Sequence, residues 1–143
     1  MAITQAMCNS FKTEILTGTH NFTSGTGHTF KIALYTAAAT MDATTTAYSA
    51  TNEITGTGYT ATGLAMTSVT PVQSAGVAVC DFNPDPAWTG ATFSTAGALI
   101  YNSSAANKAV CTIAFGTTYT VTAGTFTVTM PSPDSANAII RIA

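Results

Sequence analysis

Charged side chains are scarce in this 143-residue sequence. Four Lys or Arg and six Asp or Glu make 7% of the chain, against an ordinary share of about a quarter. A net charge of -2 on so few groups forms no basic patch for phosphates, which excludes the usual electrostatic modes of DNA and RNA binding. Long apolar runs are missing too: nothing approaches the roughly 20 consecutive apolar residues that cross a bilayer. The opening MAITQAMCNSFK has neither a basic region nor an unbroken apolar stretch, so no secretion signal and no membrane contact are expected. Cysteine is sparse. Cys8, Cys80 and Cys111 are odd in number and far apart, which excludes a CxxC pair and a disulfide framework and leaves small buried hydrophobes made in a reducing cytosol.

What the sequence does have is a hydrophobic share of 46% and thirty threonines. A single chain of this length buries about two thirds of its unfolded surface, enough for one core without staples. Thr supplies the polar surface that charge does not, and as a β-branched residue it favours strands. Ile3, Met7, Phe11 and Ile15 recur every fourth position, which predicts a short amphipathic helix or arm over residues 1–18, stopped at Gly18. Such a helix either packs on its own core or docks on a neighbouring subunit.

Residues 19–143 read as one β domain. Alternation predicts a strand over 29–36 and further strands over 64–70, 76–82, 91–94, 96–101, 109–115, 118–122, 125–130 and 138–142. Turn chemistry separates them at Pro71, Pro84 and Pro86, Asn102-Ser103-Ser104, Gly116 and Ala123-Gly124. Residues 37–62 lack a period and read as a long surface excursion, with Tyr48, Ile54 and Tyr59 as its apolar anchors. The fold class expected is therefore all-β: a single β-sandwich, jelly-roll or immunoglobulin-like, of eight or nine short strands with a short N-terminal helix. In 125–130, Phe126, Val128 and Met130 alternate with Thr125, Thr127 and Thr129, so one face meets the core and the other is a threonine ladder. The last strand carries Ile140 and Ile142 opposite Ile139 and Arg141, and needs cover within the domain or across a subunit boundary.

Residue patterns that could carry chemistry are weak. His20 and His28 lie in a loop with no metal-ligand spacing and are expected at the surface. Gly56-Thr57-Gly58-Tyr59-Thr60-Ala61 matches GxGxxA, but a polar stretch precedes it and a strand follows, so its glycines serve a turn rather than a dinucleotide. Asp81, Asn83 and Asp85 alternate as in the first half of a calcium loop, yet Pro86 stands where that loop turns on Gly. Asp side chains capping backbone N–H groups are the simpler reading. Trp88 either plugs the end of the core or stacks on a sugar. No catalytic residue, cofactor site or metal site is assigned.

Several segments resemble tailed-bacteriophage virion structural proteins: Ala2-Ile3-Thr4-Gln5-Ala6 with Phe11-Lys12, Phe30-Lys31-Ile32-Ala33-Leu34-Tyr35-Thr36, Asn52-Glu53 to Gly58-Tyr59, and Ala98-Leu99-Ile100-Tyr101-Asn102. The likeness continues through Asn107-Lys108-Ala109-Val110, Ala123-Gly124-Thr125-Phe126-Thr127-Val128 and Asn137 to Ala143, and is strongest to capsid cement or decoration proteins. That resemblance implies a homo-oligomer on the outer surface of a virion capsid, bound to the major capsid protein and bridging neighbouring capsomers. It implies no active site. Apolar anchors in terminal or aperiodic stretches nominate Met7, Phe11, Ile15, Tyr48, Ile54, Tyr59, Ile140 and Ile142 as contacts to capsid or sister subunits. Removal of residues 1–16 is then expected to leave the β fold intact. Two alternatives stand beside this reading: a tail, fibre or baseplate protein, and a glycan-binding sandwich built on Trp88.

Overall fold

The computed structural model describes residues 2–143. It is an all-β sandwich of two antiparallel sheets with one short helix. The elements in chain order are β1 (Ala6–Met7), α1 (Asn9–Leu16), β2 (Phe30–Tyr35), β3 (Leu64–Met66), β4 (Ser68–Ser74), β5 (Val77–Phe82), β6 (Ala87–Asn102), β7 (Lys108–Thr127) and β8 (Ile140–Ile142). The larger sheet has the order β1-β7-β6-β2-β3 and the smaller β4-β5-β8. The chain crosses between sheets at Thr67, one residue after β3 and one before β4.

The spine is the β6–β7 hairpin, whose strands pair from Ala87 with Thr127 to Asn102 with Lys108. Sequence patterning divides this hairpin into five strands, because Gly116 and Ala123-Gly124 have the chemistry of turns. They are bulges inside one long strand. Gly116 has φ 80° and Ala123 φ 47°, left-handed conformations that let an extra residue bend the ladder without ending it. The register of β6 against β7 shifts at four places. Asn102-Ser103-Ser104 does open the hairpin turn, which closes through Ala106 and Asn107 at φ 50° and 56°.

The segment 64–70 is likewise two strands, and Pro71 lies within β4 instead of ending it. β4 is an edge strand with a register shift between Val69 and Val72, where a residue lacking an N–H is tolerated. The alternation over 125–130 holds: Val128 and Met130 are buried, Phe126 is half-buried, and the three threonines are exposed.

At the N-terminus the helix is shorter than the periodicity suggests. α1 begins at Asn9, whereas Ile3 bridges Met41 in an extended segment and Met7 lies in β1 opposite Cys111. A spacing of four also fits the period of two in a strand, and the free edge of β7 supplies the backbone partners that make the extended form win. The same edge and the excursion start the helix: Cys8 donates its N–H to the Val110 carbonyl of β7 at 3.0 Å, and Asn9 donates to the Ala43 carbonyl of the excursion at 2.8 Å. An eight-residue helix without a side-chain cap is marginal alone, so these contacts and the burial of Phe11 hold it.

One core joins both sheets. Phe11 meets His20 at 4.9 Å between ring centroids and Phe22 edge-on at 6.0 Å. Phe22 stacks on Phe30 of β2 at 4.1 Å, and Phe30 lies 5.9 Å from Phe82 of β5. Residues 2–18 are therefore part of the sandwich, not a detachable arm, and their removal would strip β1 from the sheet and Cys8 and Phe11 from the core. The three cysteines are free and buried; burial chiefly raises their thiols, Cys8 to about 11 and Cys80 and Cys111 to about 12, which leaves them protonated near neutral pH. Phe11→Ala is expected to lower unfolding free energy by about 3–5 kcal/mol, measurable as a reduced urea midpoint; an unchanged midpoint would mean that the N-terminal segment contributes nothing to the core.

Candidate interaction surface

Two polar clusters fix the segments that sequence reasoning assigns to partners. In the first, the Glu53 carboxylate accepts from the Tyr48 hydroxyl at 2.6 Å, from the Tyr59 hydroxyl at 2.6 Å and from the Thr62 N–H at 2.8 Å. The Tyr59 hydroxyl in turn accepts the Leu34 N–H at 3.0 Å, and Tyr101 donates to the Thr62 carbonyl at 2.6 Å. Tyr48 stacks on Tyr101 at 4.8 Å. Burial, followed by donation to Glu53, pushes the Tyr48 and Tyr59 phenols above their ordinary value. The long excursion is thus nailed down from its middle onto β2 and β6. Both glycines of the motif press on β6: a Cβ at Gly56 would clash with the Thr92 carbonyl oxygen, and one at Gly58, at φ 80°, would lie 2.9 Å from the Ala91 Cα. The glycines of the GxGxxA match do serve a turn, pressed against the spine.

The second cluster gathers both histidines, and neither is a free surface group. His20 is buried, with Nε2 2.8 Å from Glu14 Oε2 and Nδ1 3.0 Å from Asn102 Nδ2. His28 is half-buried and places its Nδ1 2.8 Å from the same Asn102 amide nitrogen. Asn102 Oδ1 accepts the Ser104 N–H at 3.0 Å, so the amide NH2 is the side facing the imidazoles. Both Nδ1 atoms are therefore acceptors, and His20 donates its Nε2–H to Glu14. Lys108 completes the cluster, its Nζ donating to Glu14 Oε1 at 2.9 Å. The arrangement clasps α1, the following loop and the hairpin turn together, and seals the His20 imidazole away from solute.

The eight nominated contact residues separate by burial. Phe11 and Ile54 are core residues with no surface to offer a partner, which corrects their assignment to an interface, and Ile140 is buried at the floor of the groove described below. Met7, Ile15, Tyr48 and Tyr59 are half-buried and pack inward against the core. An apolar residue in a polar loop is the anchor by which the loop holds its own domain, and sequence cannot distinguish that from an anchor for another chain. Ile142 alone is exposed, at 51%.

Around Ile142 lies the most apolar surface feature. A shallow groove of ≈ 200 Å³ runs between the end of α1 and the smaller sheet, lined by Ile15, Phe22, Pro71, Val79, Ile140 and Ile142. Leu16, 87% exposed, follows Ile15 at the end of α1; Val72, 55% exposed, pairs with Val79 and so lies on the sheet face opposite Ile142. Sequence patterning passes over both, since Leu16 falls outside the four-residue stripe and Val72 follows a proline.

The remaining candidates are structural. The Asp81 carboxylate is buried and accepts the Phe82 N–H at 2.8 Å and the Ile139 N–H at 3.3 Å; Asp85 accepts the Met130 N–H at 2.8 Å. Both carboxylates cap backbone, as the proline loop suggests. Burial raises the Asp81 carboxyl despite these bonds. Trp88 is buried against Tyr59, Phe93 and Phe126, so it plugs the core and offers no stacking face to a sugar.

No protein-family model matches the chain, and neither a curated protein nor a solved structure shows significant similarity to it.

Burial pushes the Glu14 carboxyl up, but the hydrogen bonds from His20 and Lys108 outweigh it and hold the pKa below its ordinary 4.5. A depressed carboxylate stabilises the fold above its unfolded value, and that contribution is lost as pH falls through the folded value. Urea midpoints of wild type and Glu14→Gln are therefore expected to differ most at neutral pH and to converge as the solution is acidified below 4.5; a gap that persists unchanged in acid would show that the ionised carboxylate is not the source.

Proposed function

We propose that this protein is a structural component of a tailed-phage virion, a cement or decoration subunit that docks on the outer face of the capsid shell and bridges neighbouring capsomers. The observation that carries this reading is an apolar groove at the end of α1, with the exposed Ile142 on its rim, on an otherwise neutral, threonine-covered molecule. Such a patch marks a docking site for another protein surface. The likeness of its sequence segments to phage virion proteins directs the choice of partner to the major capsid protein.

The physical demands of a shell suit this surface. A lattice presents the same site many times, so a subunit gripping two capsomers gains through effective concentration what each contact lacks in strength. Hydrogen-bonded, wet contacts through Thr, Ser and Asn vary little with salt, because few ion pairs are there to be screened. With only ten charged residues, crowded copies repel each other weakly. The groove, formed by the end of α1 and the β4 and β8 edges, replaces the N-terminal helix face and the excursion as the proposed capsid contact.

Purified particles of the phage that encodes the chain are expected to carry it at a copy number set by the capsid lattice, and Leu16→Asp with Ile142→Asp is expected to reduce occupancy at least about tenfold. Circular dichroism and the urea midpoint of that variant should match wild type, since both side chains are exposed. A handful of copies per particle would place the subunit in the tail or baseplate, and particles without it would overturn the virion reading.

A further inference from the structure

The outer edge of β7 is the longest uncovered strand edge in the molecule. Among the described residues, β1 pairs with β7 only at Cys111 and Thr112, and beyond them β6 is the single neighbour of β7. The edge from Ile113 to Thr127 is thus open. Natural edges are guarded by Lys, Pro, short length or a covering loop. Here residues 109–133 contain no charged side chain, and 113–127 contain no proline. At the centre, 117–122 reads Thr-Thr-Tyr-Thr-Val-Thr, with all but Val121 exposed and Tyr119 open at 51%. Six residues of high β propensity with no charge, Gly or Pro form a strand-pairing segment. The other edges lack these properties: β3 and β8 have three residues each, and β4 carries Pro71.

We propose that this edge pairs with the same edge of a second copy, antiparallel and about a twofold axis at Thr120. The register is dictated by the sequence. Facing residues in an antiparallel pair share a face, so the register must keep odd positions opposite odd ones. Centred on Thr120, Tyr119 lies opposite the partner's Val121 and Thr118 opposite the partner's Thr122. Aromatic against β-branched and threonine against threonine are favourable cross-strand pairs. The register centres the contact on the regular run of β7, where Tyr119, Thr120 and Val121 pair without interruption with Thr95, Ser94 and Phe93 of β6. No like charges meet anywhere along it.

Side chains reinforce the backbone pairing. Beside this edge lies a groove of ≈ 340 Å³ lined by Ile113, Phe115, Tyr119, Phe126 and Val128. Phe115 and Tyr119 are in edge-on contact at 6.2 Å there. The stretch 113–127 runs opposite Ala98 to Ala87 of β6, so the edge it offers is roughly 40 Å long. The result is one continuous sheet through two copies. The proposal deepens the building-block reading above by naming the surface between sister subunits, distinct from the capsid-facing groove.

Sedimentation equilibrium of the isolated protein tests it without any particle. Wild type is expected to dimerise, and Thr120→Lys, which brings two ammonium groups together on the axis, to weaken the dimer at least about tenfold, with an unchanged urea midpoint at dilutions where both proteins are monomeric. Thr120→Cys should form an intermolecular disulfide under mild oxidation while Thr118→Cys, displaced from the axis, should not. Amides of 117–122 should gain hydrogen-exchange protection with rising protein concentration. Monomeric wild type, a dimer indifferent to Thr120→Lys, or cross-linking at 118 in place of 120 would each overturn the proposal. Particle binding by a monomeric wild type would overturn the self-pairing alone and leave the virion reading standing.

Discussion

The backbone ladder between β6 and β7 is the constraint on which the other elements depend. β2 pairs along the outer side of β6, β1 takes the first free stretch of β7, and the excursion touches both strands through Ala47 opposite Lys108 and Thr57 opposite Thr92. Because the ladder is interrupted by bulges and never by a true turn, it stays continuous while twisting, and one hairpin can serve as floor for the core at one end and extend as a ribbon at the other. Without it, neither the eight-residue helix nor the aperiodic excursion has anything to fold against.

Polar groups in the interior act as fasteners for segments with little regular structure. Glu53 draws two tyrosine hydroxyls and a backbone N–H into one point, and Asn102 spends both amide hydrogens on two imidazoles. Satisfied clusters of this kind specify one arrangement of a loop where apolar contacts would permit several. The large apolar residues left exposed are then few: Leu16, Val72, Tyr119 and Ile142 among the described residues.

Much of the fold is written locally. Alternation marks β2 and the exposed threonines after Gly124, and the proline loop advertises the capping role of Asp81 and Asp85. Bulges escape local reading because glycine and alanine at positive φ look the same in a turn and inside a strand. The histidine cluster escapes for another reason: Asn102 stands 82 residues from His20, and Lys108 94 from Glu14, so no window of sequence contains the site. Leu16 and Val72 were recoverable as large apolar residues in polar surroundings, but Phe11, Ile54 and Ile140 show the same signature and lie in the core. Only tertiary packing tells the two sets apart.

The scarcity of basic residues also shapes how the molecule meets degradative enzymes. Lys12, Lys31, Lys108 and Arg141 are the whole complement, and no Lys or Arg lies between Lys31 and Lys108 or between Lys108 and Arg141. Lys31 lies within β2 and Lys108 begins β7, so two of the four susceptible bonds join residues held in regular ladders. Trypsin-like proteases would therefore find almost nothing to cut in the folded subunit, a durability that follows directly from its composition.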